Sequence, residues 1–236
     1  MKNIAFITAR AGSKRLKNKN FRKFNKIPLI EHTLKAAIES KCYDRIIVSS
    51  DDLKIKDYIE KKYKKLNKVI FIKRPKTLSG DKIKVLQVVN YYFKKLKVDD
   101  TFETISLLLP TCPLRNKDHI KKAFKIFKKN KLNGLISITE VGFVYKMGIK
   151  IHKKYIKPYW KNSPLVTGDT RSQNHTKVYR PNGGIYLSNT KMFKKTKNFF
   201  KQKKLGYLIM NKIVSLDVDD INDFKLAELV KKNLVF

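Results

Sequence analysis

The residues best suited to chemistry lie in one loop near the amino terminus. The loop Thr8–Asn20 reads T-A-R-A-G-S-K-R-L-K-N-K-N and directly follows the apolar run Ile4–Ile7. Its backbone amides, its hydroxyl groups and its dense positive charge suit an anion, most naturally a polyphosphate. The loop has neither the G-x-x-x-x-G-K-[ST] spacing of a P-loop nor the three glycines of the dinucleotide-binding fingerprint. The sequence therefore predicts phosphate binding by another architecture, with an ordinary basic surface turn as the alternative.

A second group of chemically useful residues is the acidic run L-D-V-D-D at 216–220. It is conspicuous because the chain has 55 Lys and Arg but only 19 Asp and Glu. Asp217 and Asp219 are two residues apart, so on an extended segment their side chains face the same side. Two such carboxylates are suitable ligands for Mg²⁺, which prefers oxygen donors and often binds substrate phosphates as well. The alternative is a helix N-cap before the predicted helix Ile221–Lys232, a role that suits Asp220 best.

Short apolar runs alternate with amphipathic stretches in the part of the chain that separates these two groups. The predicted strands are Ile4–Thr8, Arg45–Ser49, Val69–Ile72, Thr104–Leu109 and Gly134–Thr139. The predicted helices are Leu29–Ser40, Leu53–Lys65, Ile83–Leu96 and Asn116–Lys129, the last with Asn116 as its N-cap. This alternation predicts βαβ units and an α/β fold with a mainly parallel sheet.

Ligands of such folds bind beyond the carboxyl ends of the strands. The loops that follow the first four predicted strands would therefore open onto one edge of the sheet: Arg10–Asn20, Asp51–Asp52, Arg74–Asp81 and Pro110–Arg115. The segment 141–178 is different, because it has no clean helical period and contains Trp160 and two prolines. We interpret it as extended segments and loops inserted into a single domain over residues 1–236. Further strands are predicted at Tyr179–Ser188 and Gly206–Met210.

The composition bounds the class of protein. A formal net charge of +36 suggests nucleic-acid binding, but the cations are spread over the whole chain and only eight of the 55 are Arg. Solvated lysine faces explain this pattern better, so nucleic-acid binding is the less favoured alternative. Cys42 and Cys112 have no metal or redox spacing and indicate free thiols in a reducing compartment. No apolar run approaches the ~20 residues of a membrane span, and no signal peptide is visible, so a cytoplasmic protein is expected.

Six short motifs, in order along nearly the whole chain, resemble those of the acylneuraminate cytidylyltransferases, also called CMP-sialic acid synthetases. They are A-R-A-G-S-K-R-L-K-N-K-N, R-I-I-V-S-S-D-D, K-R-P-K-T-L-S-G-D, L-L-L-P-T-C-P-L-R, Y-R-P-N-G-G-I-Y-L and L-D-V-D. The resemblance implies a Rossmann-like nucleotidyltransferase fold. It also implies a homodimer, in which the inserted segment 141–178 makes the interface and lends residues to the neighbouring site.

The resemblance further implies the reaction and its residues. CMP would be transferred from CTP to the anomeric hydroxyl of a nonulosonic acid, a nine-carbon keto-acid sugar, with release of pyrophosphate. By position in the motifs, the residues that hold CTP would be Arg10, Ser13, Lys14, Lys19, Asn20, Arg74 and Thr111. The catalytic residues would be Lys19, which stabilises the transition state, together with Arg10, Asp217 and Asp219, the two aspartates holding Mg²⁺. The sugar pocket would contain Lys146, Arg171, Tyr186, Phe199 and Phe200.

Two departures from the family pattern concern the sugar. Leu109 stands where the family usually has Gln, and a Leu side chain has no hydrogen-bonding group. The segment R-S-Q-N-H at 171–175 replaces the usual R-R-Q-D or R-Q-Q-L, so Arg171 could stand one position away from the family's clamp on the sugar carboxylate. The motifs that contain the residues assigned to CTP are intact. Legionaminic, pseudaminic and eight-carbon KDO-type acids therefore remain alternatives to N-acetylneuraminic acid.

Overall fold

The alternation of strands and helices expected from the sequence is present in a computed structural model, which describes residues 2–233. The strands are β1 (Asn3–Ala9), β2 (Lys23–Phe24), β3 (Ile27–Pro28), β4 (Arg45–Ser50), β5 (Val69–Lys73), β6 (Thr104–Leu107), β7 (Gly134–Val141), β8 (Ile149–His152), β9 (Tyr155–Pro158), β10 (Val178–Asn189) and β11 (Leu205–Ile209). The α-helices are α1 (Leu29–Glu39), α2 (Leu53–Tyr63), α3 (Val85–Lys95), α4 (Val98–Thr101), α5 (Lys117–Lys129), α6 (Pro164–Thr167), α7 (Thr190–Thr196) and α8 (Ile221–Asn233).

Seven strands form one mixed sheet in the order β11-β7-β10-β6-β1-β4-β5. The neighbours β6, β1, β4 and β5 are all parallel to one another. β10 runs antiparallel to both β6 and β7, whereas β11 is parallel to β7. The fold is therefore α/β with a mainly parallel sheet, as the sequence predicts.

The central strand β1 is buried along its whole length because helices cover both faces of the sheet. Ala5 and Ile7 join the core on one face with Leu34 of α1. Phe6 joins the core on the other face with Val88 of α3. With both faces occupied, the carboxyl edge of the parallel strands is the place where loops can form a ligand site.

Most predicted elements are confirmed within a residue or two, and the differences have local causes. β6 stops at Leu107, so Leu109 belongs to the turn after the strand. α3 begins at Val85 because the Lys84 backbone amide donates to Gln87 Oε1 at 2.7 Å and closes its first turn. Asn116 caps α5 as predicted, accepting from the backbone amides of Asp118 and His119 at 3.0 and 3.2 Å.

Residues between the antiparallel neighbours β7 and β10 lie outside the seven-stranded sheet. They form the two-stranded hairpin of β8 and β9, the short helix α6 and intervening turns. The tight hairpin of β2 and β3 and the short helices α4 and α7 were not anticipated from sequence, because elements of so few residues have no readable period. Among residues 2–233, none of the helices has the length and apolar character to cross a bilayer.

Candidate active site

A cleft of about 610 Å³ lies at the carboxyl edge of the sheet. Five predicted nucleotide residues from the loop after β1 line it: Arg10, Ser13, Lys14, Lys19 and Asn20. Three more predicted residues reach it from distant parts of the chain: Arg74 after β5, Thr111 after β6 and Asp219 before α8. The structure thus brings together loops that the sequence could only assign to the same edge.

The backbone of the loop after β1 is shaped by two buried or half-buried side chains. Asp51, in the turn after β4, accepts a hydrogen bond from the Ala11 backbone amide at 2.9 Å. Asn20 is buried and its Nδ2 donates to the Arg10 carbonyl at 3.0 Å. Asn20 therefore shapes the loop from within, in addition to lining the cleft.

The outer cations of the loop are paired with one carboxylate that the sequence analysis did not single out. Arg10 forms an ion pair with Asp81, and Lys14 Nζ lies 2.7 Å from Asp81 Oδ2. Hydrogen bonds from Lys14 and then Arg10 hold the pKa of Asp81 below its usual value. Asp81 is the last residue of the K-R-P-K-T-L-S-G-D motif, so its place in the motif was the available signal.

The acidic run meets the amino-terminal loop inside the same cleft. Lys19 Nζ donates to the Val218 carbonyl at 2.8 Å and lies 3.3 Å from Asp219 Oδ1. Arg15 Nη2 lies 2.7 Å from Asp219 Oδ2, a second ion pair that was missed because Arg15 had no assigned role. Segments that are 200 residues apart in the chain are therefore in direct contact.

Asp217 lies beside this contact and is more enclosed than Asp219. Its Oδ1 is buried and has no hydrogen-bond partner among the described residues. Burial, followed by the charge of Asp219, raises the pKa of Asp217, although a hydrogen bond with Thr111 and the charge of Lys19 oppose the rise. Between the aspartates, Val218 is fully buried and its amide donates to the Thr111 carbonyl at 2.8 Å. Because side chains alternate along an extended segment, both aspartates lie on the side of the segment opposite Val218.

The helix-capping interpretation of the acidic run applies to Asp220. Asp220 Oδ1 accepts from the backbone amides of Asn222 and Asp223 at 2.8 and 3.0 Å, which makes Asp220 the N-cap of α8. Asp223 Oδ2 in turn accepts from the amides of Asp219 and Asp220 at 3.0 and 3.1 Å. The side chains of Asp217 and Asp219 take no part in capping, and that of Asp219 is paired with Arg15 and Lys19.

Two buried arginines support the cleft in different ways. Arg74 lines it, and its Nη2 donates to the Ser49 carbonyl at 3.0 Å. Burial lowers the pKa of Arg74, and the nearby charge of Asp51 counteracts this. Arg115 is only 2% exposed and does not line the cleft; its Nη1 donates to the Gly184 carbonyl at 2.6 Å and the Leu109 carbonyl at 3.3 Å. Arg115 therefore joins the turn after β6 to β10.

A smaller pocket of about 290 Å³ adjoins the cleft and shares Val85 and Leu109 with it. Three predicted sugar-pocket residues line it: Tyr186, Phe199 and Phe200. The ring of Tyr186 lies 5.9 Å from that of Phe199 and 5.8 Å from that of Phe200, measured between centroids. Burial raises the pKa of Tyr186.

The other two predicted sugar residues do not line this pocket or the cleft. Lys146 lines a separate cavity of about 380 Å³ in the segment between β7 and β10. Its Nζ lies 3.2 Å from His175 Nδ1, and the His175 ring stacks on Phe143 at 4.5 Å. Arg171 is exposed at the start of the turn Ser172–Asn174. Within one chain, then, Lys146 and Arg171 lie apart from the three aromatic sugar-pocket residues.

Comparisons with known proteins agree on the family. A family model described as cytidylyltransferase matches residues 4–229. The chain is 33% identical, over 98% of its length, to N-acylneuraminate cytidylyltransferase of Escherichia coli, but spans only 53% of that longer relative. It is 30% identical to pseudaminic acid cytidylyltransferase of Campylobacter jejuni, with 98% of this chain and 97% of the relative aligned. It is also 30% identical to CMP-N,N'-diacetyllegionaminic acid synthase of Legionella pneumophila, with 97% and 95% aligned.

Solved structures show the same fold at lower sequence identity. A CMP:2-keto-3-deoxy-manno-octonic acid synthetase complexed with CTP superposes with a TM-score of 0.67 at 14% identity, covering 99% of this chain and 100% of the other. A 4-diphosphocytidyl-2C-methyl-D-erythritol synthase from Anaerococcus prevotii gives a TM-score of 0.62 at 17% identity, covering 98% and 99%. The sequence motifs, the fold and the cleft lead to one conclusion: the chain is a nucleotidyltransferase and belongs to the cytidylyltransferase family.

Proposed function

We propose that the protein transfers CMP from CTP to the anomeric hydroxyl of a nonulosonic acid and releases pyrophosphate. The observation that carries this proposal is the direct contact of Lys19 with Val218 and Asp219. That contact places Asp219 opposite the cations of the amino-terminal loop in one cleft. The adjoining pocket of three aromatic rings offers a place for the acceptor beside the phosphates.

The chemistry required of the cleft is electrostatic. The anomeric oxygen forms a bond to the α-phosphorus, its proton passes to water, and the bond from the α-phosphorus to the bridging oxygen breaks. Pyrophosphate leaves with the electron pair of that bond. Negative charge accumulates on the phosphoryl oxygens, so fixed cations stabilise the transition state more than the ground state. We assign this role to Lys19, which is the most enclosed of the loop's charged groups. Arg10 and Lys14 would bind the phosphates of the departing pyrophosphate.

Mg²⁺ is the expected cofactor, and the residues fit it. The buried Asp217 Oδ1 has no hydrogen-bond partner among the described residues and would serve as one oxygen ligand, and Asp219, which lines the cleft, would supply a second carboxylate. Bound there, the metal would neutralise phosphate charge. Asp217 and Asp219 would hold the metal, and Arg15 and Lys19, which contact Asp219, would lie beside the nucleotide.

The sugar class is supported by three relatives, whose names specify N-acylneuraminate, pseudaminic acid and diacetyllegionaminic acid. Each is about 30% identical to this chain, so the comparison favours nonulosonic acids as a class and no single member. The eight-carbon acid of the structural neighbour is the next alternative. Nucleic-acid binding, the alternative from another class, has only the overall charge in its favour.

We further propose a homodimer in which the segment 141–178 covers the partner's cleft. The hairpin of β8 and β9 exposes large apolar side chains, with Ile151 81%, Tyr155 72% and Ile156 65% exposed. Burial of such a patch against a second copy is favourable. It would also explain why Lys146 and Arg171 lie away from their own chain's cleft, because a partner could receive them.

The activity is tested by measuring pyrophosphate release from CTP with a panel of purified nonulosonic acids and KDO, with and without Mg²⁺. Turnover with at least one nine-carbon acid is expected, and CMP-sugar should form in equal amount. Titration with DNA and RNA at increasing salt tests the alternative. No turnover with any acid sugar, together with tight nucleic-acid binding at moderate salt, would replace the proposal by the alternative.

Sharing of residues between subunits is tested by mixing two inactive variants, Lys146→Ala and Asp219→Ala. In a mixed dimer, one site has both an intact Asp219 of its own and an intact Lys146 from the partner. Random exchange of subunits should therefore restore about a quarter of the wild-type sites. If Lys146 served its own chain, the mixture would stay as inactive as its components.

A further inference from the structure

The small pocket beside the cleft has an almost wholly apolar wall. The aliphatic side chains of Val85, Leu86, Leu107 and Leu109 line it together with the three aromatic rings described above. The polar groups in the wall are the Tyr186 hydroxyl and Asn198, and Asn198 Oδ1 already accepts from the Phe200 backbone amide at 2.7 Å. A polyhydroxylated chain would find few hydrogen-bond partners there.

Leu109 has a special place because it lines both the cleft and this pocket. Its backbone is held in the turn after β6, since its carbonyl accepts from Arg115 Nη1 at 3.3 Å and Thr33 Oγ1 at 3.4 Å. Its side chain is confined by Gly183, where an added Cβ would come within 3.3 Å of Leu109 Cδ1. Gly183 has a φ of +74° and lies where the register of β10 shifts, so the backbone approaches Leu109 closely at this point.

The position of Leu109 determines what an acceptor meets on its way from the phosphates to the rings. A sugar that places its anomeric oxygen at the α-phosphorus and another part in the small pocket must pass over Leu109 and Val85. A hydroxyl group at that point would lose its bonds to water and gain none from the wall. A methyl group has no hydrogen bonds to water to lose, and it would bury apolar surface.

We infer that Leu109 makes this protein selective for acid sugars that carry a methyl or acyl-methyl group, in place of a hydroxyl, on the part entering the pocket. Nonulosonic acids that are deoxygenated at the end of the side chain, or that carry unsubstituted acetamido groups, belong to this class. The inference rests on the proposed function and adds the substituent that the site prefers. A hydrophobic wall discriminates against one extra hydroxyl by roughly 10- to 100-fold, so the selectivity is expected to be partial.

The test compares acid sugars that differ by one hydroxyl. For the acid sugar that turns over fastest, kcat/KM is measured with the 9-deoxy and 9-hydroxy forms, and with the N-acetyl and N-glycolyl forms. The apolar member is expected to be favoured about 10-fold or more in at least one pair. Leu109→Gln should reduce that ratio to near unity, whereas Leu109→Met should preserve it. Leu226→Gln, on an exposed part of α8, provides the same substitution away from the site.

The outcomes separate the inference from the proposed function. Turnover with ratios within about twofold in both pairs would overturn the selectivity while leaving the cytidylyltransferase activity in place. A strong ratio that Leu109→Gln leaves unchanged would overturn the assignment to Leu109. No turnover with any acid sugar would overturn the proposed function, and the inference with it. The wild-type ratios need no variant, so the test does not depend on whether Leu109→Gln folds.

Discussion

Replacement of Asp219 by Ala separates a ligand-binding carboxylate from a structural one. Asp219 contacts Arg15 and Lys19 across the cleft, so a purely structural role would make it a link between two distant segments. If Asp219 binds Mg²⁺ and CTP, the same contacts belong to the protein without its ligands. The two roles predict different changes in stability and in turnover.

The stability change is expected to be small. The Asp219 side chain is 39% exposed and that of Arg15 is 67% exposed, and ion pairs this accessible to water contribute about 0–1 kcal/mol. Lys19 keeps its hydrogen bond to the Val218 carbonyl in the variant, so its ammonium group is not left without a partner. We therefore expect the free energy of unfolding to fall by about 1 kcal/mol or less.

The loss of turnover is expected to be much larger. Charge stabilisation of a phosphoryl transition state by a metal amounts to several kcal/mol, and about 3 kcal/mol corresponds to more than a 100-fold loss in kcat. The loss in kcat is measured as pyrophosphate release at saturating CTP and acid sugar over a range of Mg²⁺ concentrations. Urea unfolding of the same samples gives the stability.

Asp220→Ala is the matched control, because Asp220 is the adjacent carboxylate and caps α8. It should cost about 1 kcal/mol of stability and retain most of the Mg²⁺-dependent turnover. The reasoning would be refuted if Asp219→Ala kept near-normal kcat at every Mg²⁺ concentration. It would equally fail if that variant lost several kcal/mol of stability, since Asp219 would then be a structural link.

Three further predictions concern pH, nucleotide affinity and assembly. Burial lowers the pKa of His32 to about 4. In the unfolded chain the imidazole binds a proton at higher pH, near its ordinary pKa of about 6.5. The free energy of unfolding of the wild type should therefore fall by about 3 kcal/mol between pH 6.5 and 4. Urea titrations should show a flatter profile for His32→Gln in that range, and an unchanged profile would exclude His32 as the cause. Arg74→Lys should raise KM for CTP about tenfold or more, since a buried guanidinium that holds Ser49 is replaced by a point charge; an unaltered KM would remove Arg74 from the nucleotide site. Ile151→Glu should convert the proposed dimer to monomer in light scattering and abolish turnover, and an active monomer would contradict the shared site.

Much of the fold could be read from local patterns because those patterns have local physical causes. β1 appears in the sequence as a short apolar run because helices bury both of its faces. α5 could be bounded at Asn116 because an N-cap acts on amides only two and three residues away. The α/β class followed from such elements without knowledge of any long-range contact.

From the sequence alone, the site could be recognised only by its residue types and by its motifs. The motif with Arg10, Lys14 and Lys19 is contiguous, and so is the acidic run, so each could be found by itself. The ion pairs of Asp81 and Arg15 could not be found, because each joins groups whose separation in space depends on how the strands are ordered. Lys146 and Arg171 were assigned by resemblance alone, and their place in the reaction is still a prediction.

The sequence by itself determined that a cation-rich loop follows a buried strand and that a pair of aspartates precedes the last helix. It left the aspartates divided between metal binding and helix capping, because an extended acidic segment before a helix suits both. Only the tertiary structure showed which residue is the cap: the backbone amides of α8 donate to Asp220, whereas Lys19 and Arg15 contact Asp219. The physical reason is that capping is a contact between near neighbours, whereas the meeting of residues 19 and 219 requires the parallel sheet to bring both ends of the chain to one edge.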